Sequence, residues 1–376
     1  MSQDLLALET PRLVLDLDRL EKNCAAMRQR CAALGVALRP HLKTAKSIDV
    51  ARIATGGAPL GITVSTLREA EHFAQAGYRD ILYAATIVPN KFAHAARIQA
   101  AGADLILATD SPEVVAAAAR FATEKKITLS FVIEIDCGEH RSGLPPDGTV
   151  VALARAIAAA PGLRLRGVMT HAGHSYDTSE PAKVVPVAAT ERDVAVGAAA
   201  AIRAAGLPCD IVSVGSTPTV LLADHLRGVT EVRAGIYMLW DLAQLSRNMC
   251  RIDQIAVSVL ASVIGHNRAG RALILDAGAL ALSKDIGANR HLPNAGYGYL
   301  CDARTLARLG RLSVNGVHQE HGSVTVDDDA WFTRLPVGSV VRILPNHACI
   351  TCAGYEAFEA VRGTALVGRF ARVNGW

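Results

Sequence analysis

The sequence has few aromatic residues and almost no excess charge of either sign. Aromatic side chains make up 5% of the 376 residues, and 39 Lys and Arg stand against 35 Asp and Glu, a formal net charge of +4. Nucleic-acid binders usually present a basic stripe with stacking aromatics, so this composition argues against nucleic acid as a partner. The basic residues are also scattered, which argues against a protein that binds a membrane surface.

Long apolar runs and dense cysteine clusters are missing as well. No run approaches the roughly 18 residues of a membrane helix; the apolar stretch 194–202, for example, stops at Arg203. Residues 1–10 carry Asp4 and Glu9 and lack the basic and apolar regions of a signal peptide. The eight cysteines are spread through the chain, unlike those of a small secreted scaffold. We therefore expect a cytoplasmic protein with reduced thiols and no membrane partner.

Short apolar runs alternate with longer Ala-rich segments over the first two thirds of the chain. The runs cover residues 36–40, 60–64, 81–84, 104–108, 129–136, 165–170, 211–215 and 231–237. Most are continuously apolar, which is typical of strands buried on both faces. The segments Ser65–Glu69 and Asp110–Glu113 have the residue types of capped helix starts. Eight such units predict an α/β fold, a (β/α)8 barrel over residues 17–250. An open doubly wound sheet is the alternative, but no glycine-rich fingerprint follows the first strand.

Residues 251–376 have a different pattern. Long helical segments disappear, and strands alternate with Gly, Asn and Asp turns. The predicted strands cover residues 257–264, 272–276, 323–326, 340–344 and 365–373. This indicates a second, β-rich domain. The apolar run 12–16 precedes the first helix and cannot be a barrel strand, so we expect residues 1–16 to join the second domain.

Polar residues able to do chemistry follow most of the barrel strands, where barrel enzymes have their active sites. Lys43 follows the first strand; it is either a solvated loop charge or a lysine that forms a Schiff base. Lys46 is the natural candidate for the solvated role. A Schiff-base lysine in a barrel that also has a small anion site suggests pyridoxal phosphate. Backbone N–H groups of Gly215, Ser216 and Thr217, with Gly235, suit a phosphate group, although 215–217 could equally be a turn before Pro218.

Three further barrel residues are candidates with an ordinary alternative each. Arg141 could point into the mouth of the barrel or form a surface ion pair. His171 and Tyr176 could line a ligand or be ordinary loop and core residues. The eighth run ends at Tyr237, which we add to the candidates for holding a cofactor.

The second domain contains the sharpest local motif, His347-Ala348-Cys349-Ile350-Thr351-Cys352. The spacing His-x-Cys-x-x-Cys suits zinc, because imidazole and thiolate are good ligands for that metal. Two buried free thiols beside a loop histidine, or a redox pair, remain the alternatives. Two protein ligands would leave positions for water and substrate, as a catalytic zinc requires.

These motifs together resemble the zinc-dependent D-serine dehydratase family. The segments that carry the resemblance are Arg39-Pro40-His41-Leu42-Lys43-Thr44-Ala45-Lys46, Thr170-His171-Ala172-Gly173, Val214-Gly215-Ser216-Thr217-Pro218-Thr219 and Pro345-Asn346-His347-Ala348-Cys349. The resemblance runs over nearly the whole chain. It implies the alanine-racemase-like fold, a pyridoxal-phosphate barrel with a β-domain, and usually a homodimer.

The resemblance also implies roles for individual residues. Lys43 would form the Schiff base with the cofactor, and Arg141 would face its pyridine nitrogen. His347 and Cys349 would hold Zn²⁺ or another divalent metal. The remaining candidates would bind the phosphate or line the cofactor; they are His171, Tyr176, Gly215, Ser216, Thr217, Gly235 and Tyr237. Cys352 is not a ligand that the family requires, and its role stays open.

The implied activity is dehydration and deamination of a D-3-hydroxy amino acid, D-threo-3-hydroxyaspartate or D-serine, to a 2-oxo acid and ammonia. Related D-threonine and D-3-hydroxyaspartate aldolases carry Asp at the position of Cys349, which favours the dehydratase. Retro-aldol cleavage on the same scaffold remains an alternative. A racemase is another, with Tyr297 or Tyr299 as the second base. A non-enzymatic pyridoxal-phosphate carrier is disfavoured by the second domain and the His-x-Cys motif.

Overall fold

The computed structural model describes residues 4–58 and 60–376. Its strands are β1 (Arg12–Asp16), β2 (Ala37–Leu38), β3 (Ile62–Val64), β4 (Asp80–Thr86), β5 (Asp104–Thr109), β6 (Leu129–Ile135), β7 (Leu163–Thr170), β8 (Ile211–Val214), β9 (Glu231–Val232), β10 (Val257–Asn267), β11 (Ala272–Leu275), β12 (Gly298–Asp302), β13 (Arg308–Ser313), β14 (Gly316–Val317), β15 (Gly322–Thr325), β16 (Val340–Pro345), β17 (Ala357–Arg362) and β18 (Ala365–Ala371). Its helices are α1 (Leu17–Leu34), α2 (Ile48–Ala54), α3 (Leu67–Gln75), α4 (Phe92–Ala100), α5 (Pro112–Lys125), α6 (Gly148–Ala159), α7 (Pro181–Ala204), α8 (Thr217–Leu222), α9 (Leu242–Leu245), α10 (Ala279–Leu282), α11 (Ala330–Arg334) and α12 (Ala348–Ala353). No helix in the described parts is long and apolar enough to cross a membrane.

The chain forms two compact units, each assembled from several segments. The barrel unit comprises Ala25–Lys43, Ala54–Gly235 and Val373–Trp376. The β unit comprises the chain up to Cys24, Thr44–Ile53 and Ile236–Arg372. Lys43 therefore ends a segment of the barrel unit, and Thr44 begins a segment of the β unit. The domain bounds 17–250 and 251–376 remain a prediction, and residues 1–3 of the predicted joining segment lie outside the described residues.

The barrel unit contains an eight-stranded parallel sheet in the order β2-β9-β8-β7-β6-β5-β4-β3. Its two end strands meet, because Leu42 N–H donates to Thr63 O and Thr63 N–H donates to Pro40 O, each at 2.9 Å. A bridge between His41 and Thr63 completes this closure. The predicted barrel of eight βα units is thus confirmed. Its interior holds an apolar cluster of Leu82, Ile106, Ala108, Val132, Met169 and Ile211.

Local sequence explains the elements of this unit. Every residue of β6 is buried, as a continuous apolar run in a covered sheet requires. Thr66 caps α3 by accepting from Glu69 N–H, and Ser111 caps α5 by accepting from Val114 N–H. The eighth strand is shorter than predicted and ends at Val232. Past it, a Cβ on Gly235 would lie 2.6 Å from His41 O, so the backbones are too close there for a side chain.

The β unit contains a ten-stranded mixed sheet. Its main path runs β13-β12-β16-β10-β1-β17-β18, and β11, β15 and β14 extend it from β10. Strand β1 pairs antiparallel with β10 and parallel with β17, so the run Arg12–Asp16 does join the C-terminal strands. The sequence prediction missed β12, β13, β14 and β17. Several of these are short or interrupted by glycine and arginine, so they lack an apolar run.

Candidate functional site

The candidate groups fall in both units, and the barrel unit holds those that follow its strands. His41 lies three residues past the end of β2, and its Nδ1 is buried without a hydrogen-bond partner among the described residues. Burial, together with the nearby charges of Lys43 and Arg233, holds the pKa of His41 well below its usual range. Lys43 is exposed whereas Lys46 is half-buried, which reverses our expectation for the solvated lysine. The amine of Lys43 is therefore accessible to a small molecule.

His171 lies at the end of β7 and is fixed by the loop after β8. Its Nδ1 is 2.8 Å from Gly215 O, so Nδ1 donates to that carbonyl and Nε2 carries no proton in the neutral ring. Burial is the main cause that lowers the pKa of His171 to about 3, with Lys43 and Arg233 adding repulsion. His171 is thus an uncharged imidazole at neutral pH.

Sequence reasoning missed the residue that organises these two loops, Glu191 on α7. Its buried carboxylate accepts Ala172 N–H at 2.8 Å, Gly215 N–H at 3.1 Å and the Thr219 hydroxyl at 2.7 Å. Burial raises the pKa of Glu191, which these three donors oppose. A signal existed, because Glu191 falls at helical spacing among the buried α7 residues Val184, Ala188, Ala195 and Ile202. An acid on an apolar helix face indicates a specific partner.

The predicted phosphate-binding segment has fewer available amides than we expected. Gly215 N–H is taken by Glu191, and Ser216 N–H donates to the Thr219 hydroxyl at 3.2 Å. Gly235 N–H has only a long 3.3 Å contact with the Thr217 hydroxyl. Gly215 adopts φ +136°, and a Cβ there would lie 2.7 Å from Arg233 N. Close backbone approach therefore explains this glycine.

Two predicted cofactor residues have surroundings that the sequence had left open as alternatives, and a third lies in the β unit. Arg141 is exposed and pairs with Glu139 at 3.3 Å. Tyr176 is half-buried in the turn Gly173–Tyr176. Tyr237 is buried in the turn Ile236–Met238 of the β unit.

A buried ionic network lies within the barrel beside this loop region. Arg39 Nε donates to Glu231 at 2.8 Å, and the Ser213 hydroxyl donates to the same carboxylate at 2.7 Å. Arg233 Nη1 donates to the Ser213 hydroxyl at 2.7 Å, and its Nη2 donates to Thr170 O at 2.5 Å. Each buried charge thus has a partner, as burial in a low-dielectric interior demands.

The β unit holds the histidine of the predicted metal motif together with a carboxylate. His347 directly precedes α12, and its Nδ1 is 2.6 Å from Asp285 Oδ2. Burial opposes the charged ring, but Asp285, Cys349 and Asp241 raise the pKa of His347 to about 11. The second Asp285 oxygen accepts Gly287 N–H at 2.8 Å. Metal-binding histidines commonly give one ring nitrogen to a carboxylate in this way and keep the other for the metal.

The two cysteines of the motif differ in their surroundings. Cys349 is half-buried, and its Sγ is 2.9 Å from the Thr44 hydroxyl. Cys352 is fully buried on α12, and burial raises the pKa of its thiol to about 12. Neither forms a disulfide. Cys349 also lies within hydrogen-bonding reach of His347, so it is the better candidate to share a metal with that histidine.

Asp241 fixes the segment that carries the metal motif. Its buried carboxylate accepts Ala348 N–H at 2.9 Å and Gln244 N–H at 2.8 Å. The described residues contain no cluster of three or more His, Cys, Asp or Glu side chains that could hold a metal ion. The predicted donors in this segment remain His347 and Cys349. One imidazole and one thiolate fit zinc, with open positions for water or substrate.

Comparison with known proteins identifies the family. The family model "Alanine racemase, N-terminal domain" matches residues 15–264, and "Putative serine dehydratase domain" matches residues 256–361. The sequence is 45% identical to D-threo-3-hydroxyaspartate dehydratase of Delftia sp. (strain HT23), over 100% of both chains. The chain belongs to the family of D-serine and D-threo-3-hydroxyaspartate dehydratases.

Two further relatives agree. D-serine dehydratase of Dictyostelium discoideum is 30% identical over 100% of this chain and 99% of its own. A solved structure of a cysteine-to-alanine variant of D-threo-3-hydroxyaspartate dehydratase, in the metal-free form, matches with a TM-score of 0.96. It is 44% identical and covers 100% of both chains. The resemblance and the fold class predicted from the sequence are thus confirmed.

Proposed function

We propose that the protein is a pyridoxal-phosphate- and zinc-dependent lyase that converts a D-3-hydroxy amino acid to a 2-oxo acid and ammonia. D-threo-3-hydroxyaspartate and D-serine are the proposed substrates. The observation that carries the proposal is the full-length 45% identity with a D-threo-3-hydroxyaspartate dehydratase. The candidate metal ligands His347 and Cys349 support it, because Nδ1 of His347 is hydrogen-bonded to Asp285. Cys349, where related aldolases carry Asp, supports dehydration over retro-aldol cleavage.

Pyridoxal phosphate, when bound, supplies an electron sink for negative charge at the α-carbon of the substrate. In the barrel unit, the exposed amine of Lys43 would attach the cofactor and later remove the α-proton. His41 offers a buried, unpartnered Nδ1 to a ligand, which fits a polar group that binds there. His171 would present an unprotonated Nε2, because its low pKa and the bond to Gly215 O fix that tautomer.

Arg141 would face the pyridine nitrogen, and the Gly235 amide with the Ser216 and Thr217 hydroxyls would contact the phosphate. Tyr176 and Tyr237 complete the proposed cofactor residues.

A zinc ion, when bound, supplies a Lewis acid that makes the β-hydroxyl group a better leaving group. His347 Nε2 and Cys349 Sγ would hold it, and Asp285 would keep the imidazole oriented. The water lost from the substrate is regained when the enamine product is hydrolysed. The net products are therefore one 2-oxo acid and one ammonia per substrate.

Product analysis tests the proposal. The purified protein, with pyridoxal phosphate and zinc, is incubated with D-threo-3-hydroxyaspartate, D-serine and D-threonine, and ammonia, 2-oxo acid and glycine are measured. We expect equal amounts of ammonia and 2-oxo acid, and Lys43→Ala should lose both the cofactor absorbance and turnover. Glycine and an aldehyde as products would instead establish an aldolase.

We also propose a homodimer in the cytoplasm, as the family resemblance implies. Sedimentation equilibrium of the holoenzyme tests the oligomeric state, for which we expect twice the chain mass. Cell fractionation tests the location.

A further inference from the structure

Thr44 lies beside one of the two candidate metal ligands in the β unit. Its side chain is fully buried, and its hydroxyl oxygen is 2.9 Å from the Sγ of Cys349. The two residues are 305 positions apart in the sequence, so only the fold brings them together. A buried hydroxyl is costly unless it is hydrogen-bonded, and the sulfur of Cys349 satisfies it here.

The Thr44 segment is held in place by groups other than its own hydroxyl. The buried guanidinium of Arg372 donates to Thr44 O at 3.2 Å and to Ala45 O at 2.9 Å. The same guanidinium donates to Tyr355 O at 2.7 Å and to Cys352 O. Arg372 thus ties the Thr44 segment to the end of α12, the helix that carries Cys349. The backbone position of Thr44 is therefore set by Arg372 and does not depend on the hydroxyl group.

The chemistry of the pair gives the direction of the hydrogen bond. A cysteine that ligates a metal is a thiolate, which only accepts hydrogen bonds, so the Thr44 hydroxyl must donate. Such a bond fixes the direction in which the sulfur presents its remaining lone pairs. It also withdraws electron density from the sulfur, which leaves the bound metal a stronger Lewis acid.

We propose that Thr44 is a positioning residue for Cys349 and that its hydroxyl donates a hydrogen bond to the metal-bound sulfur. This inference rests on the proposed metal site. It is separate from the His347–Asp285 pair, because it concerns the other ligand and a residue from a distant segment. In this proposal Thr44 would act through Cys349 rather than as a ligand.

Two matched variants isolate the hydroxyl. Thr44→Val keeps the size and branching of the side chain but cannot donate, whereas Thr44→Ser keeps the hydroxyl and loses a methyl group. Zinc affinity is measured on the pyridoxal-phosphate-loaded protein by competition with a chromophoric chelator. We expect Thr44→Val to bind zinc on the order of 10-fold more weakly, the usual effect of losing such a partner, and Thr44→Ser to match the wild type. Thr44→Ala replaces the valine variant if that protein does not fold.

A spectroscopic measurement distinguishes a hydrogen bond to the sulfur from a purely structural role of Thr44, because only the hydrogen bond changes the electronic state of the thiolate. The cobalt-loaded minus metal-free difference spectrum of the holoenzyme contains the thiolate-to-cobalt charge-transfer band. Removing a donor raises the energy of the sulfur lone pairs, so this band should move to longer wavelength in Thr44→Val. It should stay in place in Thr44→Ser.

The outcomes separate this inference from the proposed function. If the wild type binds neither zinc nor cobalt, the proposed metal site itself fails. If the wild type binds metal and Thr44→Val matches it in affinity and spectrum, Thr44 has no positioning role. If Thr44→Ser is as weak as Thr44→Val, packing rather than the hydroxyl is responsible, and the inference is again overturned.

Discussion

Replacing Asp285 should weaken metal binding, because this carboxylate orients the imidazole of His347. The contact is a 2.6 Å hydrogen bond between Nδ1 and a carboxylate oxygen, which is the strong, charge-assisted kind. Loss of such a partner costs about 10- to 100-fold in metal affinity. The side chains of His347 and Asp285 are 33% and 35% exposed, so solvent screens part of the interaction. We therefore expect the lower end, about 10-fold, for Asp285→Ala.

Asp285→Asn is the matched control for this experiment. Its amide oxygen can still accept a hydrogen bond from Nδ1 but carries no charge, so zinc affinity should fall between wild type and Asp285→Ala. The negative charge of Asp285 also stabilises the protonated imidazole, which competes with metal binding. A divalent ion carries twice the charge of a proton, so the attraction of Asp285 stabilises the bound metal more than the bound proton. Zinc affinity is measured by chelator competition on the holoenzyme. Equal affinities of wild type and Asp285→Ala would refute the reasoning.

Two further predictions concern the barrel unit. Glu191→Ala should lower the free energy of urea unfolding by several kcal/mol, because each of the donors from Ala172, Gly215 and Thr219 left unpaired costs about 1–3 kcal/mol. Glu191→Gln should stay near wild type, since its amide can accept two of these donors and donate to Thr219; equal losses in both variants would contradict this. In the folded chain the pKa of His171 is lowered from 6.5 to about 3. Below pH 6.5 the unfolded chain therefore binds a proton at this histidine whereas the folded chain does not, so the stability of the fold decreases as the pH drops. His171→Gln should therefore lose less stability than wild type between about pH 7 and about pH 5, by up to about 1.4 kcal/mol per pH unit, and parallel losses would show that His171 does not titrate this way.

Much of the fold was predictable because most barrel strands are continuously apolar and several of the helices begin with ordinary caps. The run 129–136 became β6, and Thr66 and Ser111 cap the helices that follow their strands. The missed strands lack that signal. Strand β13, with the sequence RLGRLS, is an end strand of its sheet, so few apolar residues were needed to form it.

The chemistry-bearing residues were predictable where they follow a strand or form a short motif. His41, Lys43 and His171 stand at strand ends, and His347 with Cys349 has metal-ligand spacing. Their partners were not predictable. Asp285 and Thr44 reach the metal motif from segments far away in sequence, and only tertiary folding decides such contacts.

The solvent exposure of individual side chains was also not predictable from the sequence. The sequence suggested Lys46 for the solvated role, but the structure leaves Lys43 the more exposed of the two. Likewise, the glycine and hydroxyl residues at 215–217 predicted free amides, yet Glu191 from α7 occupies one of them. When the hydrogen-bond partner of a loop N–H group comes from another segment, the sequence of the loop does not reveal it.

The proposed lyase needs both an amine-bound cofactor and a divalent metal. The most direct test is to remove the metal from the holoenzyme with a chelator, record the cofactor absorbance, and measure ammonia from D-threo-3-hydroxyaspartate before and after zinc is restored. We predict that the absorbance persists, that ammonia release stops, and that zinc restores it. Undiminished ammonia release from the metal-free holoenzyme would contradict the account.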